Sequence, residues 1–140
     1  MRVLIDTNVI MDVLAKREPH FQASYDFLRL CDRQISGCLT VSQTTDLFYL
    51  LTHEGKSSAN AKALIREVTH HIKMLEVSPI DVEAALASEM QDFEDALLAC
   101  VAYRKHLDFV ITRNEKDFQK SPVPAISPAH YLKTESSDRG

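Results

Sequence analysis

Apolar residues along the chain follow two spacings: short continuous runs, and longer runs in which they recur every three to four residues. The first pattern is typical of buried strands and the second of helices. The strand-like segments are residues 2–6, 36–41, 74–77, 108–112 and, between prolines, 123–126. The helix-like segments are residues 8–16, 20–33, 42–53, 59–72, 81–88 and 93–106. Strands and helices therefore alternate along most of the chain.

This alternation predicts an α/β fold. Helices that connect parallel strands cover both faces of the sheet. We therefore expect a three-layer α/β/α sandwich with a short, mostly parallel sheet of about five strands. No internal repeat or linker divides the sequence, so residues 1–132 are expected to form one domain and residues 133–140 a frayed tail. A chain of 140 residues can bury a core of useful size without disulfides.

Composition narrows the class of protein. Hydrophobic residues make up 45% of the chain and charged residues 26%, as in soluble globular proteins. No apolar run is long enough to span a membrane, and three aliphatic residues before Asp6 are too few for a signal peptide. Cys31, Cys38 and Cys100 lack C-x-x-C spacing, which favours ordinary thiols in a reducing compartment, so we expect a cytoplasmic protein. The net charge of −4 gives no overall basic surface.

Four acidic residues lie near the predicted carboxyl ends of strands, where parallel sheets bind their ligands. Asp6 ends the first strand in LIDTNVI, and Asp46 lies one turn into the helix after the second strand. Asp95 lies in the first turn of a later helix, and Asp117 follows the last clear strand. We expect these four carboxylates to meet at one edge of the sheet.

Carboxylates that crowd together repel one another, and a divalent cation relieves that repulsion. Mg²⁺ and Mn²⁺ prefer oxygen ligands and keep several waters, whereas zinc sites are typically built from thiols and histidines. A cation held in this way lowers the pKa of a bound water and neutralises charge on a phosphoryl oxygen. The pattern therefore predicts a Mg²⁺ or Mn²⁺ site that hydrolyses phosphodiesters.

Three motifs, LIDTNVIMDVL, DFEDAL and VITRNEKDF, occur in an order and at a chain length that resemble the PIN-domain family. The resemblance extends to about Leu132. It implies a five-stranded parallel sheet between helices and RNA cleavage that depends on Mg²⁺ or Mn²⁺. Many small members are VapC-like toxins, which implies an antitoxin partner.

Carried over by motif, the resemblance implies metal-binding roles for Asp6, Asp95 and Asp117. Asp95 opens the DALLAC segment of a helix, where the helix dipole favours negative charge. Asp46 stands where the family usually has Glu, so its shorter side chain is expected to reach a metal through water. The implied catalytic set is Asp6, Asp46, Asp95 and Asp117. Asn114 stands where other members have Asp.

Further side chains receive supporting or structural interpretations. Asn8, Thr112 and Asn114 are expected to support the site from outside the metal shell. Asp6 as a plain helix cap, and Asp95 as a charge that complements the helix dipole, are the structural alternatives. Other acids receive purely structural roles: Asp92 and Glu94 as solvated residues, and Asp12 as an exposed partner of Lys16. Basic residues that could contact RNA phosphates are Arg104, Lys105, Arg113, Lys116 and Lys120.

The leading interpretation is a metal-dependent endoribonuclease, the toxin of a toxin–antitoxin pair, with an RNA substrate and a homodimeric assembly. The alternative is a catalytically weak or inactive PIN-like module that acts through RNA or protein partners. A phosphatase of the haloacid-dehalogenase type would need Asp where Asn8 stands. A receiver domain would need paired acids after the first strand. Apolar residues in segments 21–30 and 48–51 are expected to serve the core, a dimer or an antitoxin helix.

Overall fold

The computed structural model describes the backbone of residues 1–139 and the side chains of residues 1–136. The strands are β1 (Arg2–Ile5), β2 (Ser36–Thr40), β3 (Lys73–Leu75), β4 (Phe109–Ile111) and β5 (Ala125–Ile126). The helices are α1 (Thr7–Leu14), α2 (Phe21–Leu30), α3 (Val41–His53), α4 (Ser58–His71), α5 (Pro79–Ala87), α6 (Phe93–Arg104) and α7 (Pro128–Arg139). A 3₁₀ turn spans Glu115–Phe118.

The five strands form one parallel sheet in the order β3-β2-β1-β4-β5. β1 lies at its centre, with Leu4 opposite Cys38 of β2 on one side and opposite Val110 of β4 on the other. Strand order reverses on either side of β1, and parallel sheets bind ligands at the carboxyl edge near such a reversal. The predicted sandwich with a parallel five-stranded sheet is confirmed.

Two hydrophobic cores lie on opposite faces of the sheet because successive strand side chains point to opposite faces. Val3 and Ile5 pack against α1, α2, α3 and α4 on one face, where Tyr131 of α7 meets Phe27 edge to face. Leu4 points to the other face, against α5 and α6. Burying each large aliphatic side chain contributes about 1.5–3 kcal/mol, so these two cores fix the orientation of β1 and hence of Asp6 after it.

The structure differs from the sequence-based expectation mainly at helix starts and at the C-terminal end. α3 begins with a capping box formed by Thr40 and Gln43, two residues before the expected cap at Ser42. α5 is capped by Ser78, and Asp81, the expected cap, occupies the third helical position. α7 was not predicted and extends into the expected tail. The domain boundary at residue 132 stays a prediction. No helix in the described range 1–139 is long and apolar enough to cross a membrane.

Candidate active site

Asp6 follows β1 directly and is held by the neighbouring strand. Its backbone N–H donates to the carbonyl of Ile111 at 2.8 Å, and the Thr112 hydroxyl donates to its Oδ2 at 2.8 Å. Asp6 occupies the N-cap position of α1 but makes no capping hydrogen bond to the helix. Burial raises the pKa of Asp6 despite the Thr112 hydrogen bond, and the side chain is only 7% exposed. A plain capping role therefore does not account for its carboxylate.

The fully buried side chain of Gln43 connects the start of α3 to the residues on either side of Asp6. Its Nε2 donates to the carbonyl of Ile5 at 2.8 Å and lies 3.2 Å from the Thr7 hydroxyl. Asp46 is three residues further along α3 and lies on the same side as Gln43, because residues three apart are neighbours on a helix surface. Sequence reasoning did not single out Gln43, although it orients the helix that carries Asp46.

α6 begins at the same edge of the sheet. Asp92 caps it by accepting the backbone N–H of Asp95 at 2.9 Å. Desolvation and the carboxylates of Asp6, Asp92, Asp117 and Glu94 raise the pKa of Asp95 to about 7. Asp95 therefore does more than complement the helix dipole, because its own surroundings disfavour its charge.

Glu94, expected to be a solvated residue, is a member of this cluster. Desolvation and the carboxylates of Asp46, Asp6 and Asp92 raise its pKa to about 7, and the protonated form hydrogen-bonds to Asp46. The sequence offered one signal for it, since an acid in the first turn of a helix that starts at a ligand-binding edge can face the ligand.

The structure thus brings together all four predicted acids, Asp6, Asp46, Asp95 and Asp117, and adds Asp92 and Glu94. Among the supporting residues, Thr112 contacts Asp6 directly. Asn114 is exposed, donates its backbone N–H to the Thr112 hydroxyl at 3.1 Å and begins the turn that carries Asp117. The Oδ1 atom of Asn8 is buried and has no hydrogen-bond partner among the described residues.

The donor set fits a hard divalent cation, since it consists of carboxylate oxygens. Within the described part of the chain, no group of three acids, histidines or cysteines could hold a metal ion. The crowded carboxylates give the site its chemical character.

The basic residues fall into two groups. Arg104 and Lys105 lie at the far end of α6, roughly 14 Å along the helix from Asp95, and pair with Asp81 and Glu76. These two side chains therefore lie away from the carboxylate cluster, and their contact with RNA stays a prediction. Arg113 is engaged as well: its Nε lies 2.8 Å from Oδ2 of Asp12.

Asp12 is fully buried, so its expected role as an exposed partner of Lys16 is wrong. Lys116 and Lys120 remain beside the cluster, in a groove that they share with Asp92 and Asp117.

Comparison with known proteins identifies the class. The sequence profile of the PIN domain matches residues 2–116, so the chain belongs to the PIN domain family, and the predicted resemblance is confirmed. Ribonuclease VapC1 of Aquifex aeolicus (strain VF5) is 23% identical, with 93% of this chain and 92% of that protein covered.

Solved structures share the fold. The structure of VapBC2 from Rickettsia felis bound to a promoter DNA fragment superposes with a TM-score of 0.72 at 15% identity, over 91% of this chain and 98% of that one. A toxin–antitoxin complex from Klebsiella pneumoniae gives a TM-score of 0.69 at 20% identity, over 90% of this chain and 97% of that one. At these identities the likeness extends to the fold.

Proposed function

We propose that this chain is a Mg²⁺- or Mn²⁺-dependent endoribonuclease that hydrolyses RNA phosphodiester bonds. The observation that carries the proposal is the cluster of carboxylates at the carboxyl edge of the sheet, in which Asp95 and Glu94 have pKa values of about 7. A structural role does not require such crowding, which destabilises the fold, whereas a cation-binding role does. The name of the Aquifex relative, a ribonuclease, supports RNA as the substrate.

Asp6, Asp95 and Asp117 would hold the cation, with Asp46 and Glu94 within reach of a second ion or of bound water. A bound divalent cation supplies an activated water and neutralises charge on the phosphate. Thr112 fixes the orientation of Asp6 through a single hydrogen bond. Asp92 fixes the first turn of α6 and so the backbone position of Asp95. In the absence of a cation, the carboxyls of Asp95 and Glu94 retain protons near neutral pH.

The structural relatives extend the proposal to partners. Two of them are described as toxin–antitoxin or VapBC complexes, and on that basis we propose that the chain is a toxin with a protein antitoxin. An RNA substrate agrees with the cytoplasmic location expected from the cysteines. We also propose a homodimer, which light scattering after size-exclusion chromatography would test. Expression in a bacterial host should arrest growth, and Asp6→Asn should abolish the arrest.

The deciding experiment is a titration of the wild type with Mg²⁺ and Mn²⁺ followed by thermal melting, together with cleavage of a single-stranded RNA. A cation at about one hundred times its Kd stabilises the folded state by about 2.7 kcal/mol, and the melting temperature should rise by several degrees. Asp6→Asn should lose both the shift and the cleavage. Asp108→Asn, the same change at an exposed position on the opposite edge of the sheet, should retain both.

A second candidate function is a PIN-like binding module without strong catalysis. It is favoured by the lack of any group of three acids in the described chain that could hold a metal ion, and by Asp46 in the place of the family's usual Glu. This candidate predicts RNA or protein binding with no cation-dependent rise in melting temperature. Cleavage that persists unchanged in Asp6→Asn would contradict the proposed role of the cluster.

A further inference from the structure

A groove of about 500 Å³ opens directly beside the acidic cluster. One wall is the loop before α6, with Met90 and Gln91, and the other is the segment around the 3₁₀ turn, with Lys116, Gln119 and Lys120. Asp92 and Asp117 belong both to this groove and to the cluster. A ligand that fills the groove therefore lies next to any group bound by the carboxylates.

Besides the carboxylates of Glu89, Asp92 and Asp117, the side chains of the groove present three kinds of contact. Lys116 has no ion-pair partner among the described residues, and Lys120 pairs only loosely with Glu89, at 3.6 Å between two exposed side chains. Such exposed pairs contribute little stability, so Lys120 can exchange Glu89 for a phosphate at small cost. The two ammonium groups suit the phosphates of a nucleic-acid backbone.

The side-chain amides of Gln91 and Gln119 are exposed and make no hydrogen bond with described residues. Each amide offers two donor hydrogens and one acceptor oxygen, the combination that reads the edge of an unpaired base. Met90 is 8% exposed and packs into the core below, so it gives the groove an apolar floor. Phosphate, base edge and base face thus each have a matching side chain.

We propose that this groove is a nucleotide subsite that holds one or two nucleotides of single-stranded RNA next to the bond that is cleaved. The inference rests on the proposed function for its substrate, and it adds where the strand lies and which residues contact it. A volume of about 500 Å³ is within the range of small-ligand sites and accommodates an unpaired nucleotide. Sequence-specific RNA recognition usually relies on bases that are unpaired and unstacked, which agrees with an open groove.

The test measures the binding of fluorescein-labelled RNA homopolymers, ten nucleotides of U, A or C. Fluorescence anisotropy gives the binding constant at several salt concentrations, in buffer that contains Ca²⁺. Each lysine–phosphate contact with a single strand adds about 0.7 to the slope of log K against log salt. The double variant Lys116→Gln/Lys120→Gln should reduce this slope by about 1.4 and weaken binding at least tenfold. The matched double variant Lys62→Gln/Lys73→Gln removes the same charge from exposed positions on α4 and β3 and should leave the slope unchanged.

Base contact is tested separately. Gln91→Ala/Gln119→Ala should bring the three homopolymer affinities closer together while leaving the salt slope intact. The Mg²⁺-dependent rise in melting temperature should be the same in both groove variants as in the wild type, which shows that the cluster and the fold are undisturbed.

Outcomes for the groove and for the proposed function are distinguishable. If the wild type cleaves RNA but the lysine variant keeps the wild-type salt slope, the groove proposal is overturned and the nuclease stands. If the wild type shows no cation-dependent melting shift or cleavage, yet the lysine variant loses the slope, the groove binds RNA and the nuclease proposal fails. Equal affinities of the glutamine variant and the wild type for every homopolymer would overturn the base-reading role.

Discussion

The two ends of α6 place aspartates in opposite electrostatic environments. Near its first turn, Asp95 is partly buried, and desolvation and four neighbouring carboxylates raise its pKa to about 7. Near its last turn, Asp81 of α5 is 2% exposed, so burial alone would raise its pKa too. Arg104 donates to Asp81 from Nε and Nη2, each at 2.8 Å, and the backbone N–H of Ser78 donates at 2.8 Å. These bonds hold the pKa of Asp81 below its ordinary value.

The difference shows that burial alone does not determine the charge state of a carboxylate; the available partners do. Near Arg104, the charge of the buried acid Asp81 is compensated, because Asp81 accepts hydrogen bonds from a basic side chain and from a backbone N–H. At the first turn of α6 the charges of the clustered acids are not compensated by basic residues, and these acids lie where parallel sheets bind ligands. Uncompensated charge at that position is what a cation-binding site requires, and it makes the protein less stable while no cation is bound.

The largest expected effect comes from removing the arginine that pairs with the buried Asp81. Arg104→Met leaves Asp81 buried and charged without its bidentate partner, and we expect a loss of about 3 kcal/mol in the free energy of unfolding at pH 7. Urea denaturation measures it. Lys105→Met is the matched control, because Lys105 is adjacent and, among the described residues, its side chain pairs with the exposed Glu76. Equal losses in the two variants would contradict the role assigned to the buried pair.

The pH dependence of this loss has a defined sign. The folded pKa of Asp81 is lowered, so its ion pair contributes stability above the unfolded pKa of about 4 and loses it as pH falls through the folded value. The difference between the wild type and Arg104→Met should therefore be largest near pH 7 and shrink below about pH 4. A difference that stays constant down to pH 3 would show that packing of the arginine stem, not its charge, is responsible.

The next effect is a gain in stability, and it comes from neutralising an acid of the carboxylate cluster. The folded pKa of Asp95 is raised, so the cation-free protein loses stability as pH rises from about 4 to about 7. Asp95→Asn resembles the protonated acid and should remove that loss. We expect a gain of about 1–2 kcal/mol at pH 8, after allowance for partial exposure, and about a third of that gain at pH 5.

Chemical denaturation in EDTA at the two pH values measures this gain. Glu83→Gln, an exposed change on α5, is the control and should have little effect at either pH. Added Mg²⁺ should reverse the order of stability, because only the wild type retains the complete cation site. An Asp95→Asn variant less stable than the wild type at pH 8 in EDTA would show that the helix-dipole contribution outweighs carboxylate repulsion.

The sequence predicted the parts of this comparison that depend on periodicity and motif. Hydrophobic spacing indicated the parallel sheet, and the carboxyl-edge rule together with the PIN motifs singled out Asp6, Asp46, Asp95 and Asp117. Thr112 was expected to support the site, and its hydroxyl donates to Asp6. These features are local, or they follow from strand direction alone.

Features that depend on packing between distant segments were not predicted. Asp12 and Lys16 have the spacing of an exposed helical pair, yet α2 and the loop after β4 cover Asp12, and Ser24 and Arg113 contact it. Arg104 was counted among the basic residues that could contact RNA near the site, because charge alone does not reveal which end of a helix faces the ligand. α7 was missed because its polar sequence has no clear apolar stripe, although Tyr131 anchors it to α2.

The smallest predicted effect concerns the hydrogen bonds by which Thr112 positions Asp6 in the carboxylate cluster. The Thr112 hydroxyl donates to Asp6 and accepts the backbone N–H of Asn114, so it connects β1 to the turn that carries Asp117. Thr112→Val keeps the shape of the side chain but removes both bonds, and we expect a loss of about 1 kcal/mol in stability. It also removes a donor that favours the charged form of Asp6, so Mg²⁺ affinity should fall several-fold. Thr112→Ser retains the hydroxyl and should restore the affinity in a melting titration, even where the lost methyl lowers stability. If serine and valine variants bind Mg²⁺ equally well, the hydroxyl supports the fold and does not tune the carboxylate.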